Sequence, residues 1–452
     1  MQTRECGPSI KIVPICAGAR ANNHDRNECI EQTVTLVSSS NWHDYGAVPR
    51  TPRVLVLGAG FAGLWAALGA ARRLDELGLA QDAVEITIVS TQPFHDIRVR
   101  NYEADLSGCR IPLPDLLDPA GVGHITADVT GIDPAQATVR IADGAMLRYD
   151  RLVVALGSRV AKPDLPGLAE FGFDVDTYDG ATRLQAHIRA LADRAAEPAR
   201  STAVVVGAGL TGIETASELP RMLSEALGPG ATPRVILVDH NPRVGSDMGE
   251  SARPVIEEAL AANHVNTLTG VGVTAVDARS VTLSSGEVVP AATVVWCAGM
   301  RANPLTAQFG VPRDRLGRLP VDDYLRVEGV AGVFAAGDVA VARMDDEHMS
   351  VMSCQHGRPM GRYAGYNVIS DLLGAPMLSL RIPWYVTVLD LGPAGAVYTE
   401  GWDRKVVSTG AQAKATKRVI NGERIYPPLT GNRAALLAAA APALQGAPAY
   451  GD

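Results

Sequence analysis

Two short glycine-rich segments have the residue types and the spacing that could bind a diphosphate. They read GAGFAG at residues 58–63 and GAGLTG at residues 207–212. In a G-x-G-x-x-G turn the first glycine permits a tight bend and the second lets backbone N–H groups approach the phosphates. The third lets the following helix pack closely on the preceding strand. The candidate binding residues are therefore Gly58, Gly60, Phe61, Ala62, Gly63, Gly207, Gly209 and Gly212.

The elements around these two turns repeat, which strengthens the interpretation. An apolar strand precedes each turn, at 54–57 and 203–206, and a helix follows each, at 64–77 and 213–227. A second strand then closes each unit. Short, wholly apolar strands are typical of a parallel sheet that is buried on both faces. Each helix start would present free N–H donors and the positive end of its dipole to an anion.

The residue that ends each closing strand is placed to contact the ribose of a bound dinucleotide. Ser90 and Asp239 both lie 30 residues after the middle glycine of their turn. Asp239 would accept hydrogen bonds from both ribose hydroxyls and repel a 2′-phosphate, which favours NADH over NADPH. His240 and Arg243 nearby weaken this preference, and an ordinary turn aspartate remains the alternative. Ser90 could bond a hydroxyl less strongly.

Two different dinucleotide sites on one chain suggest electron transfer between them, and FAD with NAD(P)H is the economical pair. Three further apolar strands end in small residues, at Gly157, Gly299 and Gly337. Asp338 could bond a ribityl hydroxyl of FAD while its neighbours open a helix toward the flavin, and a helix N-cap role is compatible with this. The predicted cofactor-binding set is completed by Ser90, Gly157, Asp239, Gly299, Gly337 and Asp338.

The composition excludes several other function classes. The formal net charge is −8 and the chain has only five lysines, so it lacks the concentrated basic face that nucleic-acid binding needs. The six cysteines form no CxxC pair, which argues against a zinc ribbon, an iron–sulfur site and an adjacent redox disulfide, and we expect no metal. This usage fits a reducing, cytoplasmic compartment. No segment has the roughly 18 continuous apolar residues of a membrane span.

As an ordered set, five segments resemble the two-dinucleotide-binding-domain flavoproteins, the pyridine nucleotide-disulfide oxidoreductase superfamily, and within it the type II NADH dehydrogenases. The resemblance covers about residues 52–375. It is carried by GAGFAG at 58–63, YDRLVVALGS at 149–158, GAGLTGIETASEL at 207–219, VVWCAGMRANP at 294–304 and GVFAAGDVA at 332–340. It implies that 58–63 and the Gly337-Asp338 pair bind FAD and that 207–212 binds NADH.

The resemblance also implies two catalytic candidates. Glu214 matches a glutamate near the contact between nicotinamide and flavin, with a surface glutamate on the helix as the alternative. Gln355 matches the first glutamine of a quinone-site motif, whose second glutamine would fall at Pro359. The implied activity is NADH oxidation by hydride transfer to FAD, followed by electron transfer to a quinone-like acceptor. The alternatives are an NAD(P)H-dependent reductase of a ferredoxin-like or biosynthetic partner, and an NADH-sensing flavoprotein with little turnover.

The predicted fold class is α/β, with two Rossmann-like dinucleotide-binding domains, the NAD domain inserted in the FAD domain, plus a small C-terminal α+β region. We expect the FAD-binding domain at 51–165 and 300–380 and the NAD(P)H-binding domain at 166–299. A poorly ordered leader is expected at 1–50, a C-terminal interface region at 381–428 and a tail at 429–452.

The interface region mixes aromatic and basic residues, among them Tyr385, Lys414 and Lys417. They could form a rim for the inner face of a membrane or for an acidic partner, but the solvated edge of a small sheet is the commoner case. A homodimer is a further expectation left open. Of two single residues near the expected flavin, His95 is expected to bond loop backbone and Cys354 to be a small buried residue.

Overall fold

The computed structural model describes residues 50–444 and 446, so the predicted leader at 1–50 lies almost wholly outside the described residues. The first glycine-rich turn belongs to a five-stranded parallel sheet. Its strands lie in the order Val333–Ala335, Arg151–Val154, Arg53–Leu57, Glu85–Ser90 and Gly123–Thr126. The central strand is buried from Val54 to Leu57, as its apolar sequence predicts.

Two parallel helices, Phe61–Glu76 and Cys354–Leu372, pack on this sheet and closely on each other. A Cβ atom at Gly361 would lie 2.3 Å from the carbonyl oxygen of Ala62, and one at Gly365 would lie 2.1 Å from that of Ala66. The two backbones can approach this closely only because glycine stands at both positions. As a result the first turns of the two helices lie side by side.

The second glycine-rich turn belongs to a second five-stranded parallel sheet. Its strands lie in the order Gly172–Phe173, Thr293–Trp296, Thr202–Val206, Arg234–Asp239 and Val265–Thr269. The helices that accompany it are Tyr178–Ala190, Leu210–Leu227 and Gly249–Ala262. Two doubly wound sheets in one chain confirm the predicted α/β class with two Rossmann-like units.

The chain passes between the two sheets at one place. Strand Ser158–Val160 leads out of the first sheet, strand Met300–Ala302 leads back, and the two pair antiparallel. We refer to this pair as the link strands.

The C-terminal part adds a three-stranded antiparallel sheet and a helix. The strands are Val386–Asp390, Ala396–Glu400 and Lys405–Thr409, and the helix is Gly410–Val419. This sheet contacts the helices Leu210–Leu227 and Gly249–Ala262. The remaining strands and α-helices of four or more described residues are the strands Val129–Asp133, Thr138–Ile141, Val273–Val276 and Ser280–Leu283 and the helices Pro114–Leu117, Leu168–Phe171 and Arg433–Ala439.

Several predicted boundaries shift. The helices after the two glycine-rich turns begin at Phe61 and Leu210, three residues earlier than predicted, because the last three motif residues already form the first helical turn. The prediction that a helix begins near Asp338 is wrong. Residues Gly337–Val339 make one 3₁₀ turn, strand Ala340–Val341 follows, and the long helix begins only at Cys354. Each helix in the part of the chain that the structure describes is too short or too polar to span a bilayer.

Candidate functional site

The first glycine-rich turn has the close packing that its sequence predicts. Gly58 has φ +99°, and a Cβ atom there would lie 2.4 Å from the carbonyl oxygen of Ala155, the residue after the neighbouring strand Arg151–Val154. A Cβ atom at Gly63 would lie 1.9 Å from the carbonyl oxygen of Gly58. At Gly60, by contrast, no atom lies within 4 Å of a built Cβ. The two outer glycines are therefore required for packing, whereas the middle one keeps open space beside the helix start.

The second turn repeats this pattern. Gly207 has φ +104°, and a Cβ atom at Gly212 would lie 1.7 Å from the carbonyl oxygen of Gly207. At Gly209 the nearest atom is a carboxylate oxygen of Asp247, at 3.6 Å from a built Cβ. Gly60 and Gly209 are the N-cap residues of their helices, and neither helix start has a side-chain cap. The free N–H groups at both starts fit a diphosphate.

The two predicted ribose residues lie at the ends of their strands, but in different surroundings. Asp239 is 7% exposed, and its carboxylate accepts hydrogen bonds from the backbone N–H groups of Ala208 and Asn241. The carboxylate is thereby fixed across the glycine-rich turn, and each oxygen retains a lone pair for a ligand. The hydroxyl of Ser90 donates to the carbonyl oxygen of Gln92 at 2.7 Å. It also lies 2.9 Å from Nε2 of His124.

Gly337 and Asp338 lie beside the first turn. Gly337 has φ +73°, and a Cβ atom there would lie 2.7 Å from Cβ of Ala62. The Asp338 carboxylate accepts a 2.5 Å hydrogen bond from the hydroxyl of Ser158, and Nη1 of Arg98 lies 3.9 Å from the same oxygen. Arg98 also donates to the carbonyl oxygen of Ser158 and to Asp176. Asp338 is thus tied to the link strands.

Gly157 and Gly299 lie one residue before each link strand. Both have positive φ angles, +67° and +79°. The carbonyl oxygen of Gly157 accepts from the N–H of Asn303 at 3.0 Å, and that of Gly299 accepts from the N–H of Ala161 at 2.5 Å. The structure therefore gives both glycines a part in the crossing between the sheets.

The start of the long helix brings Gln355 to the same place. A Cβ atom built on Gly357 would lie 3.9 Å from Cα of Gly337 and 3.9 Å from Cβ of Phe61. The side-chain oxygen of Gln355 accepts from the N–H of Val386 at 3.4 Å. Its Nε2 is buried and has no hydrogen-bond partner among the described residues. A buried amide donor without a partner is unusual in a folded protein and suits a ligand acceptor atom.

Glu214 is not a surface residue. It is 7% exposed, and its Oε1 accepts from Nζ of Lys417 at 2.8 Å and from the N–H of Asp390 at 3.1 Å. Lys417 is 8% exposed and also donates to the carbonyl oxygen of Val388. Burial raises the pKa of Glu214, and the charge of Lys417 acts against this. The alternative of a surface glutamate is therefore wrong.

The ion pair extends into a buried polar cluster. The Asp390 carboxylate accepts from Lys414 and, at 3.1 Å, from the hydroxyl of Tyr102. The expectation that Lys414 and Lys417 belong to a solvated sheet edge is wrong, because their helix turns both amines inward onto acidic partners. The only sequence signal was their spacing of three residues, which places two side chains on one helix face.

His95 is buried and bonded to loop backbone as expected, whereas Cys354 is only partly buried. His95 is fully buried, and its Nδ1 lies 2.8 Å from the carbonyl oxygen of Ala59 in the first turn. Burial lowers the pKa of His95, so the neutral ring donates this hydrogen bond. Burial also raises the pKa of the Cys354 thiol, which makes it a poor nucleophile.

No group of three or more metal-binding side chains occurs in residues 50–444 and 446.

Comparisons with known proteins agree with this geometry. The pattern of the family described as pyridine nucleotide-disulphide oxidoreductase matches residues 52–361. NADH dehydrogenase-like protein Rv1812c of Mycobacterium tuberculosis is 70% identical over 398 residues, which cover 88% of this chain and 100% of that protein. Demethylphylloquinone reductase NdbB of Synechocystis is 30% identical over 359 residues, or 76% of this chain and 86% of that protein.

The fold likeness extends to solved structures. The structure of NDH2 from Plasmodium falciparum in complex with NADH superposes with a TM-score of 0.71 at 12% identity. The match covers 86% of this chain and 97% of that one.

Proposed function

Because the chain belongs to the pyridine nucleotide-disulphide oxidoreductase family and is NADH dehydrogenase-like, we propose that it holds FAD and NADH and passes electrons from NADH to a quinone-like acceptor. One observation carries the proposal. Two glycine-rich turns each leave their middle glycine open beside an uncapped helix start, at Gly60 and Gly209. The names of the relatives NdbB and NDH2 support the choice of acceptor class and donor.

Each turn would hold one cofactor. Gly60 and the N–H groups that follow it would bind the diphosphate of FAD, with Asp338 at the ribityl chain. Gly209 and Asp239 would bind the diphosphate and the ribose of NADH. When bound, FAD supplies the acceptor for a hydride and the store of two electrons. Hydride delivery itself needs no acid or base from the protein, so the main task of the chain is to align the two rings.

Glu214 and Lys417 would act in that alignment. Glu214 lies near the start of the helix that follows the second glycine-rich turn, two residues beyond Gly212. Lys417 reaches it from the helix Gly410–Val419. Because Lys417 and the N–H of Asp390 both hold the carboxylate, its position is fixed. We assign to Glu214 a role in positioning the nicotinamide, and to Lys417 that of keeping the carboxylate ionised and in place.

Gln355 would act on the acceptor side. Its oxygen is held by the N–H of Val386, which leaves Nε2 as a donor for a carbonyl oxygen. Pro359 stands one helical turn later and offers no donor group. Under this proposal, the side-chain amide of Gln355 alone would donate a hydrogen bond to the quinone from this face of the helix.

The test is a two-step experiment on the purified holoprotein under anaerobic conditions. NADH should bleach the flavin absorbance within seconds, and menadione should then restore it. Slow bleaching would favour the NADH-sensing alternative. If NADH bleaches the flavin fast, and a one-electron ferredoxin-like protein re-oxidises it while no quinone does, the acceptor is a ferredoxin-like protein and not a quinone. Protein that is folded but takes up no flavin would overturn the proposal.

A further inference from the structure

One arginine of the C-terminal sheet has an unusual backbone conformation. Arg404 ends the loop at residues 401–404, between the strands Ala396–Glu400 and Lys405–Thr409, and its N–H donates to the carbonyl oxygen of Gly401 at 3.0 Å. Its φ is +53°, in the left-handed region that glycine, asparagine and aspartate adopt far more readily than other residues do. Because a residue held in this region costs stability, its presence points to a function for the side chain.

The loop of Arg404 lies against the segment that borders the second glycine-rich turn. Cβ of Arg404 lies 3.3 Å from a Cβ atom built on Gly249, and the hydroxyl of Ser251 donates to the carbonyl oxygen of Arg404 at 2.9 Å. Two residues before Gly249, a carboxylate oxygen of Asp247 lies 3.6 Å from a Cβ atom built on Gly209. The loop is therefore a near neighbour of the open side of the second turn.

The side chain of Arg404 extends from this segment toward the start of the long helix Cys354–Leu372. Its guanidinium lies 5.1 Å over the ring of Tyr385, and that ring lies 5.5 Å from the ring of His356 in the first turn of the helix. Burial raises the pKa of Tyr385, which the charge of Arg404 lowers and that of Asp247 raises. The guanidinium thus lies between the second turn and the flavin side, along the path of a nucleotide that joins them.

The guanidinium of Arg404 is suited to an anion. Its buried Nη1 has no hydrogen-bond partner among the described residues, although the side chain as a whole is only half-buried. A buried donor without an acceptor is uncommon in folded proteins. The exposed carboxylate of Asp247 beside Gly209 would repel a diphosphate bound there, and a guanidinium on the same side would offset this repulsion.

We propose that Arg404 binds the diphosphate of NADH and covers the second turn from the side of the C-terminal sheet. The inference rests on the proposed function and adds a binding residue that lies outside both glycine-rich motifs. The planar fork of a guanidinium matches phosphate oxygens and binds them through paired hydrogen bonds. The diphosphate would then be held from two sides, by the N–H groups after Gly209 and by Arg404.

The first experiment measures binding without turnover. The oxidised holoprotein is titrated by calorimetry with ADP-ribose, which has the diphosphate but no nicotinamide. Arg404→Gln should bind it at least about tenfold more weakly than wild type, the effect of losing a hydrogen bond to a charged group. Equal affinity of the two proteins would overturn this inference alone. If the wild type binds neither ADP-ribose nor NADH, the proposed function fails as well.

The second experiment compares two hydride donors by the rate at which each bleaches the flavin under anaerobic conditions. NADH has the diphosphate, whereas 1-benzyl-1,4-dihydronicotinamide has the reactive ring and no phosphate. At limiting donor, Arg404→Gln should lower the rate constant at least about tenfold for NADH and less than about twofold for the benzyl donor. Equal losses would place Arg404 at the rings, and a larger loss for NADPH than for NADH would place it at the 2′-phosphate. Either result would contradict the proposal.

Two variants serve as controls. Lys405→Gln removes a positive charge from the next residue, which is largely exposed, and should change both measurements by less than about twofold. Arg404→Lys keeps the charge and loses the planar fork, so it should recover part of the binding. The flavin content of every variant is read from its absorbance spectrum. Loss of FAD from Arg404→Gln alone would assign the arginine to the flavin and overturn the proposal.

Discussion

Removal of the amine of Lys417 should leave the carboxylate of Glu214 buried without its counter-ion. Both side chains are enclosed, and Nζ lies 2.8 Å from Oε1. Loss of one partner of a buried ion pair destabilises a protein by about 3–5 kcal/mol. We expect Lys417→Met, which preserves the length of the side chain, to fall in this range. The double variant Lys417→Met with Glu214→Gln should recover much of the loss, because neither position then leaves a charge without its counter-ion.

The measurement is urea unfolding of the four proteins of this cycle, followed by circular dichroism. The coupling free energy between the two sites should be at least about 1 kcal/mol. Lys405→Met is the matched control, since Lys405 is largely exposed and its nearest acid is 3.7 Å away. It should change the free energy of unfolding by no more than about 0.5 kcal/mol. Losses that add without coupling would refute the role of the pair.

The pH dependence of the free energy of unfolding tests independently whether a buried charge on Glu214 causes the loss. Burial raises the pKa of Glu214 above its ordinary value of 4.5. A carboxyl group of this kind contributes stability below its unfolded pKa and loses that contribution as the pH rises through its folded pKa. Without Lys417 the folded pKa rises further. The free energy of unfolding that Lys417→Met loses relative to wild type should therefore be smallest near about pH 5 and largest near about pH 8. A deficit that does not vary with pH would contradict the buried-charge argument.

Three further variants test the site directly. Gly60→Ala should fold normally, since no atom lies within 4 Å of the added Cβ, but should bind FAD at least about tenfold more weakly; Gly63→Ala should instead lose several kcal/mol of stability, because its Cβ would lie 1.9 Å from a carbonyl oxygen. Asp239→Asn should lower the ratio of kcat/KM for NADH to kcat/KM for NADPH by about tenfold. If this ratio does not change, Asp239 does not contact the ribose. Gln355→Leu should raise the KM for menadione several-fold while NADH bleaches the flavin at the wild-type rate; slower bleaching would place Gln355 on the NADH side instead.

The parts of the site that local chemistry dictates were predictable from the sequence. A glycine-rich turn between an apolar strand and a helix constrains its own backbone, so the packing of Gly63 on Gly58 and of Gly212 on Gly207 follows from a dozen residues. The two sheets follow from the same repeated unit. Here the sequence pattern and the structure agree because each contact joins residues close along the chain, or joins adjacent strands whose order the module fixes.

The parts that depend on distant packing were not predictable. Glu214 and Lys417 are 203 residues apart, and their contact depends on how the helix Gly410–Val419 lies against the helix Leu210–Leu227. The helix expected at Asp338 was displaced because residues 340–353 first form a strand and a loop.

The paired link strands have a consequence for how such a protein can change. Residues 161–299 leave and rejoin the rest of the chain through two antiparallel neighbours, so the ends of this long excursion are about 5 Å apart. One continuous segment therefore carries the second glycine-rich turn and its parallel sheet, and a foreign segment could replace it without displacing the first sheet. The replacement would also have to supply a buried carboxylate in the place of Glu214, because Lys417 on the helix Gly410–Val419 pairs with it.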